Sequence, residues 1–261
     1  MIRYAKEADE RREAGGMQCC CLHGSVGLAS DWRPFAKQLA TEGISTRAVD
    51  LWRFLQAGPM SLSEFATTFN HEAREETTRG NGRALLGYSL GGRLALHALL
   101  ENPHPWNAAI VISANPGLED AENRASRRAA DRDWATRALT GNWPDFLTAW
   151  NAQLTLGAEI NRDPAAGVTL AAHRQEIARS FLDWSVGVQE SLWDRLAEIN
   201  IPVLWIVGAE DLKYREIAER AVTKAPRFTL QVAPDVGHRV PWEATSWMAK
   251  TVSQFLKSIQ H

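Results

Sequence analysis

The stretch Gly87-Tyr88-Ser89-Leu90-Gly91 constrains this chain more than any other. It follows a short apolar run, Ala84-Leu85-Leu86, and opens into a segment of helical character over 92–100. A serine with glycines two residues either side, placed between a strand and a helix, sits on a turn too sharp for larger side chains. That turn lifts the hydroxyl clear of the sheet edge, where it can react. The plainer reading is a serine that caps the helix behind it. The partners decide between the two.

A serine hydroxyl is inert until a base takes its proton, and the base needs an acid to orient it. Both stand further along, each after an apolar run. The run 203–207 leads into Gly208-Ala209-Glu210-Asp211, and the run 228–232 leads into Asp235-Val236-Gly237-His238. Asp211 is the expected acid, with Glu210 its competitor one residue away, and His238 is the expected base. The order serine, acid, histidine is that of one fold in particular. Read blandly, Asp211 is a loop carboxylate and His238 a surface imidazole. The other histidines singled out (His71, His97, His104, His173 and His261) have no comparable setting.

Apolar runs alternate with helical segments, the pattern of a parallel sheet. Strands are expected at 18–22, 44–49, 83–86, 108–113, 203–207 and 228–232, and helices at 32–41 behind Asp31, 65–77, 214–225 and 242–259. Ser61 and Glu64 form a capping box ahead of 65–77, and Pro241 suits the first turn of the last helix. From 117 to 199 no strand is expected. The fold class is therefore α/β: an α/β-hydrolase fold, a mostly parallel sheet with flanking helices and a helical lid inserted after the sixth strand of the usual count. Core is expected over 1–116 and 200–261, and lid over 117–199. Only some 16 residues, many of them charged, precede the first strand, so the antiparallel pair that usually opens this fold is expected to be reduced or missing.

Composition excludes several classes. The 261 residues are 45% hydrophobic and 23% charged, as in globular domains. A net charge of −2 gives no reason to expect nucleic acid as partner. No apolar run reaches the ~20 residues of a membrane span, and the charged N-terminus lacks a signal-peptide core, which gives a cytoplasmic expectation. Cys19, Cys20 and Cys21 are adjacent. Neighbouring strand residues face opposite ways and cannot converge on one ion, so they read as buried strand residues, with no metal and no cofactor expected.

Oxyanion stabilisation needs two backbone N–H groups. Leu90, after the nucleophile, supplies one. The loop Leu22-His23-Gly24-Ser25-Val26-Gly27 supplies the other, with Ser25 as donor and His23 as support. Arg93 lies one helical turn beyond Ser89 and can reach the same pocket. The lid adds Arg124, Arg127, Arg128, Arg132 and Arg137, with Arg174 and Arg179 further on, interleaved with carboxylates. Most of these make a solvated, ion-paired helix face. A minority turned toward Ser89 would make the pocket a receptor for carboxylates.

Several of these segments together resemble the SHCHC synthases of menaquinone biosynthesis, which make 2-succinyl-6-hydroxy-2,4-cyclohexadiene-1-carboxylate. They are Leu22-His23-Gly24, the elbow through Arg93, Asn115-Pro116-Gly117-Leu118 with Ala121-Glu122-Asn123-Arg124, Asp131-Arg132-Asp133-Trp134, and the run from Gly208 to Tyr214. The likeness runs from about Leu22 to His238. It implies a lyase that eliminates pyruvate from a cyclohexene tricarboxylate (SEPHCHC), with Ser89, His238 and Asp211 as the base. It also implies Arg93, Arg124 and Arg179 as carboxylate-binding residues and Tyr88 and Trp150 as pocket walls. The chain departs from that family at Asp50-Leu51-Trp52-Arg53-Phe54-Leu55, where Asp-Leu-Pro-Gly-His-Gly is usual. The residues alone leave two alternatives: a carboxylester hydrolase for a small anionic ester, and a non-catalytic receptor on the same scaffold. The expected partner is a small carboxylate substrate, and oligomeric state is not legible.

Overall fold

A computed structural model of the chain describes residues 16–76, 82–153, 156 and 164–259. Six strands form one sheet: β1 (Met17–Leu22), β2 (Ser45–Val49), β3 (Gly82–Tyr88), β4 (Ala108–Ile112), β5 (Val203–Gly208) and β6 (Phe228–Ala233). Their order is β2-β1-β3-β4-β5-β6, and every pairing is parallel. The central strands β3, β4 and β5 are buried almost throughout, whereas the edge strands β2 and β6 alternate with exposed positions. The expected antiparallel opening pair falls on residues 1–15, outside the described residues.

Crossover helices cover both faces. On one side lie α1 (Arg33–Thr41) and, at the chain's end, α9 (Val240–Glu243) and α10 (Thr245–Ser258); on the other lie α2 (Leu62–Glu75), α3 (Leu90–Leu100) and α8 (Leu212–Lys224). Phe35 and Leu39 of α1 are fully buried, each contributing about 2 kcal/mol by the area it removes from water. Ser61 caps α2 and Glu64 returns the bond to the Ser61 amide at 2.7 Å. Asp31 differs from expectation. It accepts the Leu28 N–H at 2.9 Å inside a short 3-10 turn, and Trp32 takes the cap position of α1. Pro241 lies in the first turn of α9, and the helix then breaks at Ala244 before α10.

The cysteines divide between the two faces of β1. Cys20 joins one core, and Cys19 and Cys21 the other. Burial pushes the Cys20 thiol up to about 12 and raises that of Cys21, so neither is a thiolate at neutral pH.

Between β4 and β5 the chain leaves the sheet for α4 (Ala121–Thr140), α5 (Trp143–Asn151), α6 (Pro164–Ala172) and α7 (Arg174–Asp183). These helices share an aromatic core of Trp143, Phe146, Trp150 and Phe181. In the last part of the expected lid span, Trp184, Leu192, Trp193, Leu196 and Ile199 pack with the core of the α/β sandwich, while Ser185 and Gly187 bond to α4.

Candidate active site

In an open parallel sheet, ligands collect at the carboxyl edge where the chain reverses its order of strand addition. Here that point lies between β1 and β3: the chain runs from β1 outward to β2, then returns to add β3 on β1's other side. The loop after β1 and the turn after β3 are therefore neighbours, with Leu22 in register with Gly87.

Ser89 occupies that turn with φ 52° and ψ −108°, a strained backbone for a side chain. The surrounding glycines make it possible. A Cβ on Gly87 would lie 2.2 Å from the Gly91 carbonyl oxygen, and one on Gly91 would lie 2.3 Å from that of Leu22. The Ser89 amide is tied to the Ile112 carbonyl at 2.8 Å. These contacts over-determine the turn and hold the hydroxyl up.

The loops after β5 and β6 bring the partners. His238 Nδ1 is 2.7 Å from Asp211 Oδ2, and His238 Nε2 is 3.2 Å from Ser89 Oγ. Asp211, rather than Glu210, makes the contact; Asp211 and His238 are both buried. Glu243 braces the histidine loop from below, accepting the Gly237 N–H at 3.0 Å and the Arg239 N–H at 3.1 Å. Tyr214 packs on the imidazole with ring centroids 4.4 Å apart. Burial holds its hydroxyl above the usual phenol range, so it is neutral.

Above Ser89 lies a cavity of about 440 Å³. Ser25, Tyr88, Trp150 and His238 line it, and three cations reach it: Arg93, Arg127 and Lys213. Leu90 begins α3, so its N–H has no acceptor one turn back and points out of the helix end. Ser25 stands beside Val26, whose φ of 50° is unusual for a branched residue. His23 supports this loop: its Nε2 accepts the Leu51 N–H at 3.2 Å, which puts the proton on Nδ1, 2.9 Å from the Gly24 carbonyl.

The arginines divide sharply. Arg93 is buried, and one terminal nitrogen donates to Gln189 Oε1 at 3.0 Å. Burial, reinforced by Arg127, pulls it down to about 10, so it stays charged at neutral pH. Arg127 is anchored through Nε, 2.9 Å from both oxygens of the buried Asp131, which also accepts the Ser185 hydroxyl at 2.6 Å. Two expected ligands are not among the cavity's lining residues. Arg124 lies one turn before Arg127 on α4, off the wall. Arg179 is taken up by the Leu55 carbonyl. Arg128 and Arg174 likewise serve carbonyls, those of Gly187, Ala138 and Gly141.

Residue-by-residue reading missed Gln189, Ser185 and Glu243, and took Asp131 only as one carboxylate of the lid's ion-paired face. Gln189 and Ser185 lie in a segment with no periodic signal. Arg127 had a signal in its spacing of three from Arg124, and Lys213 in its place two residues after Asp211 in the run from Gly208 to Tyr214.

The alpha/beta hydrolase family model matches residues 21–251. The 2-succinyl-6-hydroxy-2,4-cyclohexadiene-1-carboxylate synthase of Yersinia pestis (strain Pestoides F) is 32% identical over 88% of this chain and 84% of its own length. The chain belongs to the SHCHC synthases, within the alpha/beta hydrolases. Among solved structures, MenH from S. aureus superposes with a TM-score of 0.81 at 19% identity, covering 95% of this chain and 96% of that one. The esterase EaEST from Exiguobacterium antarcticum superposes at 0.74 and 18% identity, covering 94% and 93%. At such identities the two structures speak for the fold. Among the described residues no helix is long and apolar enough to cross a membrane.

Proposed function

We propose that this enzyme eliminates pyruvate from the cyclohexene tricarboxylate SEPHCHC to give SHCHC. The observation that carries the reading is the pairing of an activated serine with three cations around one cavity. A triply anionic substrate wants several cations, and an elimination needs a base but no water. A neutral ester would have no need of Arg93, a buried cation in the cavity wall.

In this mechanism His238 Nε2 accepts the Ser89 proton, and Asp211 fixes the imidazole with Nδ1–H toward itself. Ser89 Oγ takes the ring proton. The electron pair of the broken C–H bond becomes a ring double bond, and the bond from ring carbon to enolpyruvyl oxygen breaks. The leaving group departs as the enolate of pyruvate, and the proton held on His238 goes to its methylene carbon to give pyruvate. The Leu90 and Ser25 N–H groups hold charge that develops on the substrate. Arg93, Arg127 and Lys213 take the carboxylates, and Tyr88 and Trp150 wall the ring.

Incubation of pure protein with SEPHCHC, coupled to pyruvate detection, tests the reading. Pyruvate is expected, with a loss of about 10³-fold or more in Ser89→Ala, the scale on which serine triads fail. Pyruvate no higher than in Ser89→Ala, alongside rapid turnover of p-nitrophenyl esters, would assign the site to carboxylester hydrolysis instead.

A further inference from the structure

The loop after β2 packs against the loop after β1, and Trp52 makes the closest of those contacts. Trp52 lies in a short 3-10 turn, Trp52–Leu55, and is fully buried. Its indole Nε1 donates to the Gly27 carbonyl at 2.8 Å. Its ring packs on His23 with centroids 4.9 Å apart. The preceding residue, Leu51, gives its N–H to His23 Nε2, and His23 in turn holds the Gly24 carbonyl.

The two tethers bracket a short span. On one side of Ser25-Val26 the Gly24 carbonyl is held by the His23 imidazole, which the Leu51 N–H braces from its other nitrogen, and on the other side the Gly27 carbonyl is held by the Trp52 indole. Within the bracket Val26 keeps a left-handed φ of 50°. A β-branched residue holds that conformation only where its surroundings leave no alternative. The loop is also tight. A Cβ on Gly27 would meet the Gly24 oxygen at 2.7 Å. On the far side, Trp52 shares an apolar cluster with Val26, Leu28 and the lid's Trp143 and Trp150.

We propose that Trp52 is the positioning residue of the oxyanion loop, aiming the Ser25 N–H into the cavity through the Gly27 carbonyl. The inference rests on the assignment of Ser25 as an oxyanion donor. Trp52 itself does not touch substrate; its indole N–H fixes a carbonyl that would otherwise let the loop relax from the strained turn.

Two variants at one site test it: Trp52→Phe, and replacement of Trp52 by 3-benzothienylalanine, which keeps the ring's shape and lacks the N–H. Trp205→Phe is the control, because Trp205 is fully buried on β5 and its indole N–H has no partner among the described residues. The readouts are the rate at which diethyl p-nitrophenyl phosphate inactivates Ser89 and the amide exchange of residues 24–27. Both Trp52 variants should be inactivated about tenfold more slowly, a fraction of the ~10²–10³ that loss of a whole oxyanion donor costs. Exchange at 24–27 should quicken, the pH midpoint of inactivation should stay put, and Trp205→Phe should change neither readout. Unaltered exchange in both variants overturns the tether. Faster exchange with unaltered inactivation overturns the Ser25 assignment instead. An equal slowing in Trp205→Phe reduces Trp52 to a packing residue.

Discussion

Arg93 and Arg124 look alike in the sequence and stand in different worlds in the structure. Arg93 is buried below the cavity and steadied by Gln189; Arg124 lies beyond the wall. On the proposed reading, Arg93→Met should raise KM for the tricarboxylate by about 10–100-fold, the worth of a charge-assisted hydrogen bond or two. Arg124→Met should change KM by less than about twofold in the same assay, since its side chain is not among those that line the cavity. One turn beyond Arg93, His97 is pulled down from the usual imidazole range to about 4, first by burial and then by Arg93 and Arg195. The unfolded chain takes up this proton near pH 6.5 and the folded chain only near 4. Stability should therefore fall as pH drops through that window, by about 3 kcal/mol at its lower end. Thermal melts from pH 7 to 4.5 should show a shallower loss in His97→Leu than in the parent. Ser89, Asp211 and His238 were legible because each follows an apolar run whose carboxyl end the fold dictates. Which arginine faces inward was not. Helical phase relative to a cavity depends on how α4 is docked, and a shift of three residues changes the answer.

At the scale of elements, the lid is held to the body through a polar knot. Asp131 of α4 accepts from Arg127 on its own helix and from Ser185 in the segment that re-enters the core. Gln189, four residues beyond Ser185, holds Arg93 and donates to the Asn115 carbonyl at 3.2 Å. One short segment thus positions a cation from the lid and a cation from the body. Asp131→Asn should cost about 1–3 kcal/mol, the price of an under-satisfied buried group, read as a fall in Tm. On the proposed reading it should raise KM more than it lowers kcat, because the loosened Arg127 would hold a carboxylate and take no part in the proton transfer. The strands were readable from apolar runs to within a residue or two, since a strand buried on both faces leaves little choice of residue. The packing of Trp184 and Trp193 into the sandwich core was not, because the segment after α7 carries no strand and no helical period to say which way its side chains turn.

Across the whole molecule the net charge is −2, which would repel an anionic substrate weakly at long range. The three cations at the cavity act against that background over about a Debye length, ~8–10 Å at physiological salt. Raising ionic strength from 20 to 500 mM should therefore lower kcat/KM for SEPHCHC several-fold and leave kcat nearly level, because screening touches encounter and not the proton transfer. An uncharged p-nitrophenyl ester run beside it should show no such slope.

Gly208 ends β5 just before the acid's loop, and a Cβ there would lie 2.0 Å from the Gly237 carbonyl oxygen and 2.3 Å from that of Val236. The loops that carry Asp211 and His238 therefore meet as naked main chain, with no room for a side chain between them. A lineage working from this scaffold is free to rewrite its cap and change what it consumes, yet it inherits this seam intact. Directed evolution toward new substrates should find its accepted changes in the helical insertion and almost none at that junction.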